Sequence, residues 1–225
     1  MKPNNQTDEN PFSLSIGDLM AAILFVFVLL LSAAMLKISE QSEKIENIAT
    51  QYDNSKEETY KDLEKHFGDN IADWGAEIDK QKLSIRFSKQ TMFDNNDTTL
   101  RPEFCAILDD FFPKYINLLM AHKDEIAEIR IEGHTSSIGS YFHNMQLSQD
   151  RSRNVLEYCE SLVSQTQREW MRQFVTANGL SYSHLIYDNK GFEDEIRSRR
   201  VEFRILTNSE ESMQNILEEL DELKK

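Results

Sequence analysis

Near the start of the chain, apolar residues run together instead of alternating with polar ones. Leu19 to Leu36 is eighteen residues without a charge, and apolar character begins earlier, at Leu14 and Ile16. A helix over 14–36 holds 23 residues; at about 1.5 Å per residue, roughly 20 cross a bilayer's hydrocarbon core. The pattern predicts one transmembrane helix. A cleaved signal sequence is an alternative, since Ser32, Ala33 and Ala34 offer a small-residue cleavage site. The segment before the run, however, sets Lys2 against Asp8 and Glu9, a poor basic region. A buried core helix is the other alternative, and eighteen uncharged residues is long for one. Lys2 lies on one side of the run and Lys37 and Lys44 on the other, so basic residues alone lean weakly toward a cytoplasmic C-terminal side.

Beyond the run the pattern changes. Residues 37–81 predict a polar helical stalk. Ile38, Ile45, Ile48, Tyr52, Leu63 and Phe67 fall at roughly heptad spacing, broken by Gln41, Ser55 and Thr59. A weak parallel coiled coil between two copies and a solvated linker both fit. Gly68 is expected to end the stalk helix, and Ile71, Trp74 and Ile78 form a short amphipathic lead into a domain over 82–207.

In that domain, Lys82–Ser88 alternates as a strand and 102–121 reads as a helix with Pro113 as a kink. A second strand is expected over 126–132. A second helix carries Val155, Leu156, Cys159 and Leu162 on one face, with Ser148 as its N-cap. A third helix is expected to end at Gly179, a third strand at 184–189 and a last strand at 199–206. Residues 208–225 predict an amphipathic helix with Ile216, Leu217, Leu220 and Leu223 on one side, capped by Asn208 with Glu211 three residues on. The fold class is α+β: a membrane helix, a helical stalk, an α/β sandwich and a C-terminal helix.

Charge narrows the function. The net charge is −14 and the pI about 4.8, with no basic run, which argues against nucleic-acid binding. The mean hydropathy is −0.55, so the apolar run is isolated in a polar chain. Cys105 and Cys159 lack metal-site spacing, and His134 and His143 have no acid or cysteine at ligand spacing, so no metal is expected. No nucleophile triad, phosphate loop or paired carboxylates stand out, and no enzymatic activity is expected.

Asp18 sits about one turn inside the apolar helix. It occupies either the headgroup zone, near the positive end of the helix dipole, or a site against a partner helix. An ionisable group in the second setting costs energy and usually handles ions or protons.

The stretch "IRIEGHTSSIGSYFHNMQLSQDRSRNVLEYC", with "RSRRVEF" later, resembles the peptidoglycan-binding core of OmpA-like domains, which carry GHTD, LSxxR and a closing NRRVE strand. The resemblance covers about residues 82–206. It implies an extracytoplasmic domain that binds cell-wall stem peptides, with Arg151 holding a carboxylate by its bidentate fork. The bland alternative for Arg151 is a surface ion pair with Asp150. Asn144 and Leu147 match the family's pocket, and Gly133 and Thr135 its strand-to-loop turn. His143 stands where the family usually has Tyr. Ser136 stands where it has the Asp that pairs the diaminopimelate ammonium.

A membrane acid, a stalk and an OmpA-like domain together resemble MotB-type stator subunits. The run "PFSLSIGDLMAAILFVFVLLL", with "FGDNIADWGAEIDKQKLSIRF" and GHTSS, resembles more narrowly the B subunits of Zorya anti-phage systems. That resemblance implies an inner-membrane homodimer inside five MotA-like A subunits. It implies H⁺ or Na⁺ passing through Asp18, a cytoplasmic N-terminus over 1–13, a periplasmic C-terminal domain and no cofactor. In an oxidising periplasm Cys105 and Cys159 are either a disulfide or buried thiols. A flagellar stator subunit and a passive wall tether are the rival readings.

Overall fold

The computed structural model describes residues 11–88 and 92–222, with side chains over 16–88 and 92–215. The chain divides into two compact units, Met1–Ile48 and Ala49–Lys225.

Helix α1 (Pro11–Trp74) supplies the first unit. Its large apolar residues from Ile16 to Leu36 are all exposed, between 48% and 72%. A window of membrane-spanning length and composition on this helix has none of its residues buried. The helix is apolar all round and has no protein cover there, so it is not a core helix; it fits a single membrane pass.

In the second unit, alternation builds the sheet. Its strands are β1 (Ala76–Asp79), β2 (Ser84–Phe87), β3 (Ile126–His134), β4 (Val175–Gly179) and β5 (Arg200–Thr207). They lie in the order β1-β2-β5-β3-β4. Only β3 and β4 run parallel; the other pairs are antiparallel. The helices are α2 (Pro102–Ala121), α3 (Tyr141–Ser161), α4 (Gln165–Phe174), the short α5 (Glu195–Ser198) and α6 (Asn208–Glu222).

Successive strand residues face opposite sides. Ile85, Phe87, Ile129, Ile131, Val201, Phe203 and Ile205 join Phe104, Leu108, Phe111 and Tyr115 of α2 and Val155 and Cys159 of α3 in one core. The intervening positions (Ser84, Arg86, Glu132, His134, Arg200 and Glu202) are charged or polar, yet also buried.

Several expectations need correction. Gly68 does not end the stalk: α1 continues to Trp74, and Gly75, at φ 61°, turns the chain. The cost of a mid-helix glycine is about 1 kcal/mol. Here Leu63, Phe67 and Trp74 are buried in the domain core, and each such burial contributes about 1.5–3 kcal/mol. Phe67 lies 5.5 Å from the Phe111 ring and 6.1 Å from that of Trp74. Leu63 and Phe67, the last two heptad positions, therefore serve the chain's own core. The sheet also begins before residue 82, because β1 lies within the expected stalk.

Ser148 is not an N-cap. Ser140 caps α3, accepting from the His143 backbone N–H. Ser148 lies buried within α3, donating to the Met145 carbonyl at 3.0 Å and accepting from the Ser181 N–H at 3.0 Å. The expected third helix stops at Phe174, and Val175 and Thr176, β-branched, open β4. The expected strand at 184–189 is only a bridge between Tyr187 and Glu193. Pro113 sits inside an unbroken α2. At α6, Thr207 accepts from the Glu210 N–H, while Asn208 donates to the Asp124 carbonyl. The apolar positions Ile216, Leu217, Leu220 and Leu223 lie outside the described side chains.

Candidate functional site

The site forms where β3 gives way to α3, because glycine lets the two meet. A Cβ on Gly133 would strike the Ser148 carbonyl oxygen, whose carbon is 3.1 Å away, and one on Gly179 would lie 2.6 Å from the Gln149 Cα. The C-terminal ends of both parallel strands thus pack directly against α3 backbone. Between Thr135 and Ser140 the chain turns through Gly139, at φ 99°. The side-chain amide of Asn144 holds this turn, donating to the Ile138 carbonyl at 2.9 Å.

Along α3, His143, Leu147 and Arg151 recur every four residues and share a face with Asn144. This brings six sequence-nominated residues together. Thr135, Ser136, His143, Asn144, Leu147 and Arg151 line one cavity of about 370 Å³, with Asn95, Asn96, Gly139 and Arg199 among the other walls. A neighbouring cavity of about 330 Å³ shares Asn95, Arg151 and Arg199, and reaches His134 and Arg200.

Two charges, Arg199 and Arg151, are common to both cavities, and the more deeply buried is Arg151. It is 8% exposed, and it makes no ion pair with Asp150. Its Nε donates to the Asp97 carbonyl at 2.8 Å and its Nη2 to the Asp94 carbonyl at 3.1 Å. The Phe93 ring lies 4.8 Å beneath the guanidinium. Nη1 has no protein acceptor among the described residues. Burial, then the nearby Arg199 charge, lowers its pKa to about 10, opposed by Asp97. It is still a cation at neutral pH, held by neutral carbonyls and with a nitrogen free for an anion. No carboxylate lines the larger cavity. Ser136, where the OmpA family carries Asp, is buried without supplying one. The His143 ring pairs with Asn96 Oδ1 at 2.6 Å, closing one wall.

Beneath the second cavity lies a network of buried charges. The Glu202 Oε1 accepts from Arg86 Nε at 3.0 Å and from Arg200 Nε, and Arg86 also reaches Asp79 at 2.9 Å. His134 Nε2 lies 3.5 Å from Glu132, and neither ring nitrogen makes a hydrogen bond among the described residues. Burial lowers the His134 pKa and keeps the ring neutral at pH 7. Glu132, His134 and Glu202 place ligand atoms within 4.8 Å of one another. Two guanidiniums already neutralise Glu202, so the cluster works as an ion-paired floor more than a cation site.

Asp18 lies exposed on α1 within the first unit, and it is the only charged residue between Ile16 and Leu36. In the structure Cys105 and Cys159 are free thiols, Cys159 fully buried in the core and Cys105 half-buried. The sequence reading missed Arg199 and the 95–96 asparagines as cavity walls. Arg199 was visible only as a strand opener, and the asparagines sit in a loop without periodicity.

Residues 92–199 match the OmpA family. The chain is similar to a MotB-like protein from Desulfovibrio vulgaris known from a crystal structure, with a TM-score of 0.48 and 21% identity over 68% of this chain and 91% of that one. It is 26% identical to a Zorya protein ZorB of Escherichia coli over 91% of this chain and 83% of that protein. It is 40% identical to another ZorB, from the Crooks strain of Escherichia coli, over 94% of each chain. On that likeness along nearly its whole length, the chain belongs to the ZorB family of Zorya proteins.

Proposed function

We propose that this chain is the wall-anchored stator subunit of an ion-driven membrane complex that defends a bacterium against phage. One observation carries the reading. A single chain joins a lone carboxylate in a membrane-length apolar helix to an OmpA-family domain whose cavity centres on Arg151. In this reading the domain grips the peptidoglycan stem through Arg151, with Asn144, Leu147, His143, Thr135 and Ser136 shaping the cavity. The absence of an acid at Ser136 leaves the anionic end of the stem as the principal handle. Asp18 carries H⁺ or Na⁺ past a ring of MotA-like partners, five around two copies of this chain. The N-terminus is cytoplasmic and the C-terminal domain periplasmic, since that is where the wall lies.

The test uses cells carrying the complete defence system. Asp18→Asn keeps the side chain's shape and removes its charge; Arg151→Ala removes the anion contact. Both are expected to abolish protection while the protein's level in the inner-membrane fraction is unchanged. Full protection by Asp18→Asn would make the chain a passive tether and remove the ion-carrier role. Protection by Arg151→Ala, with normal binding to purified sacculi, would remove Arg151 as the wall contact, and failure of the wild type to bind sacculi would remove the wall-anchoring role. With the partner co-purified, opposed proton and sodium gradients then identify the ion.

A further inference from the structure

Outside the membrane helix and its continuation to Ile38, the large apolar residues exposed among the described residues fall in two short segments. Ile138, Tyr141 and Phe142 are 61%, 40% and 83% exposed; Tyr187, Phe192 and Ile196 are 58%, 70% and 50% exposed. These segments are joined. The Ser137 N–H donates to Glu193 at 3.0 Å, and the Ser137 hydroxyl donates to the same carboxylate. Both border the Arg151 cavities: Ile138 lines one, and Ile196 lines the other beside Arg199. The Tyr141 ring meets Phe142 at 5.6 Å and Tyr182 at 5.5 Å, both nearly edge-on. Aromatic residues left in water around a polar cavity mark a binding surface.

Resting on the peptidoglycan reading above, we infer that this aromatic rim is a subsite for the glycan strand, with Phe142 and Phe192 packing against the C–H faces of its N-acetyl sugars. Reach supports this occupant. When the third, diaminopimelate residue of a stem holds Arg151, two residues separate it from the sugar. At about 3.5 Å for the first and somewhat more for the γ-linked second, they span roughly 10 Å, which keeps the sugar close to the cavity that Ile138 borders. Charge supports it too. The rim carries Asp188, Glu193, Asp194 and Glu195 around a neighbouring depression with one cation, Arg199, 3.2 Å from Glu195, which leaves a surplus of acids, and the chain's net charge is −14. A second copy meeting this face would set acid against acid. An uncharged sugar pays no such cost, and its hydroxyl and amide hydrogens find carboxylate acceptors.

The full chain in detergent is titrated calorimetrically with two probes, a sugar-free tetrapeptide stem and the same stem on its disaccharide. The disaccharide form is expected to bind about tenfold more tightly. Phe142→Ala with Phe192→Ala should erase that advantage and leave the bare-stem affinity unchanged, and Phe142→Tyr should retain it. Equal affinity of the wild type for both probes overturns the subsite. So does a double variant that keeps the advantage, or one whose only change is a loss of dimer by light scattering, which would assign the face to a second copy. Failure of the wild type to bind either probe removes the peptidoglycan reading itself, and the subsite with it.

Discussion

Replacing Glu202 with glutamine keeps the shape of the side chain and removes the charge that two guanidiniums share. Glu202 is fully buried, accepting from Arg86 at 3.0 Å and from Arg200 through the same oxygen, with Ser84 3.3 Å from the other. Burial alone pushes its carboxyl up; Arg200 and then Arg86 outweigh it and hold the pKa at about 2, against 4.5 for a free glutamate. A difference of about 2.5 in pKa is worth about 3 kcal/mol. Leaving one member of a buried ion pair unmatched costs about 3–5 kcal/mol, so the two routes agree. Glu202→Gln should therefore lower the urea midpoint of the full chain at pH 7 by an amount equal to about 3 kcal/mol, followed by near-ultraviolet circular dichroism. The pH dependence has a definite sign. Because the folded pKa is depressed, this stabilisation is complete above pH 4.5 and disappears as pH falls toward 2. The gap between wild type and variant should close over that interval. An unchanged midpoint at pH 7, or a gap that persists unaltered to pH 2, would refute the argument that this carboxylate holds the sheet's charged face together.

Two further outcomes follow from packing. Gly133→Ala drives a methyl into the Ser148 carbonyl and should destabilise the domain by about 1–3 kcal/mol, with a matching loss of sacculus binding as α3 is pushed from β3; urea unfolding and co-sedimentation read both. Phe67→Ala opens a cavity beside Trp74, Phe111 and Tyr115 and should cost about 3–5 kcal/mol, although Phe67 belongs to the segment that reads as stalk; a midpoint shift under about 1 kcal/mol would deny it a place in the core.

The site was more legible in the sequence than the elements around it. Arg151, Leu147 and His143 stand four apart on a helix, so their convergence needed only the right period. The GHTSS turn then brought Thr135 and Ser136 to the same cavity. Boundaries failed where burial overrode local preference. Gly68 reads as a breaker, yet Phe67 and Trp74 hold the helix together across it. Ser148 reads as a cap, yet it lies within a helix whose true start is Ser140. Ser140 was hidden because Tyr141 and Phe142, the first helical residues, face solvent and give no apolar stripe. The segment from Val175 to Gly179 looks like a helix end until β3 offers it a parallel partner, a contact 46 residues away at Ile129. Likewise β1 is four residues long and is defined by its pairing with β2, which no local pattern announces.

Helix α1 ends as core. From Leu63 onward its inward side chains belong to the same apolar cluster as the sheet and α2. No swivel or slack linker intervenes between those last turns and the domain. From Leu63 onward a twist applied to the helix bears directly on aromatic rings packed 5.5–6.3 Å from Phe67. The domain and the end of its shaft turn together or not at all.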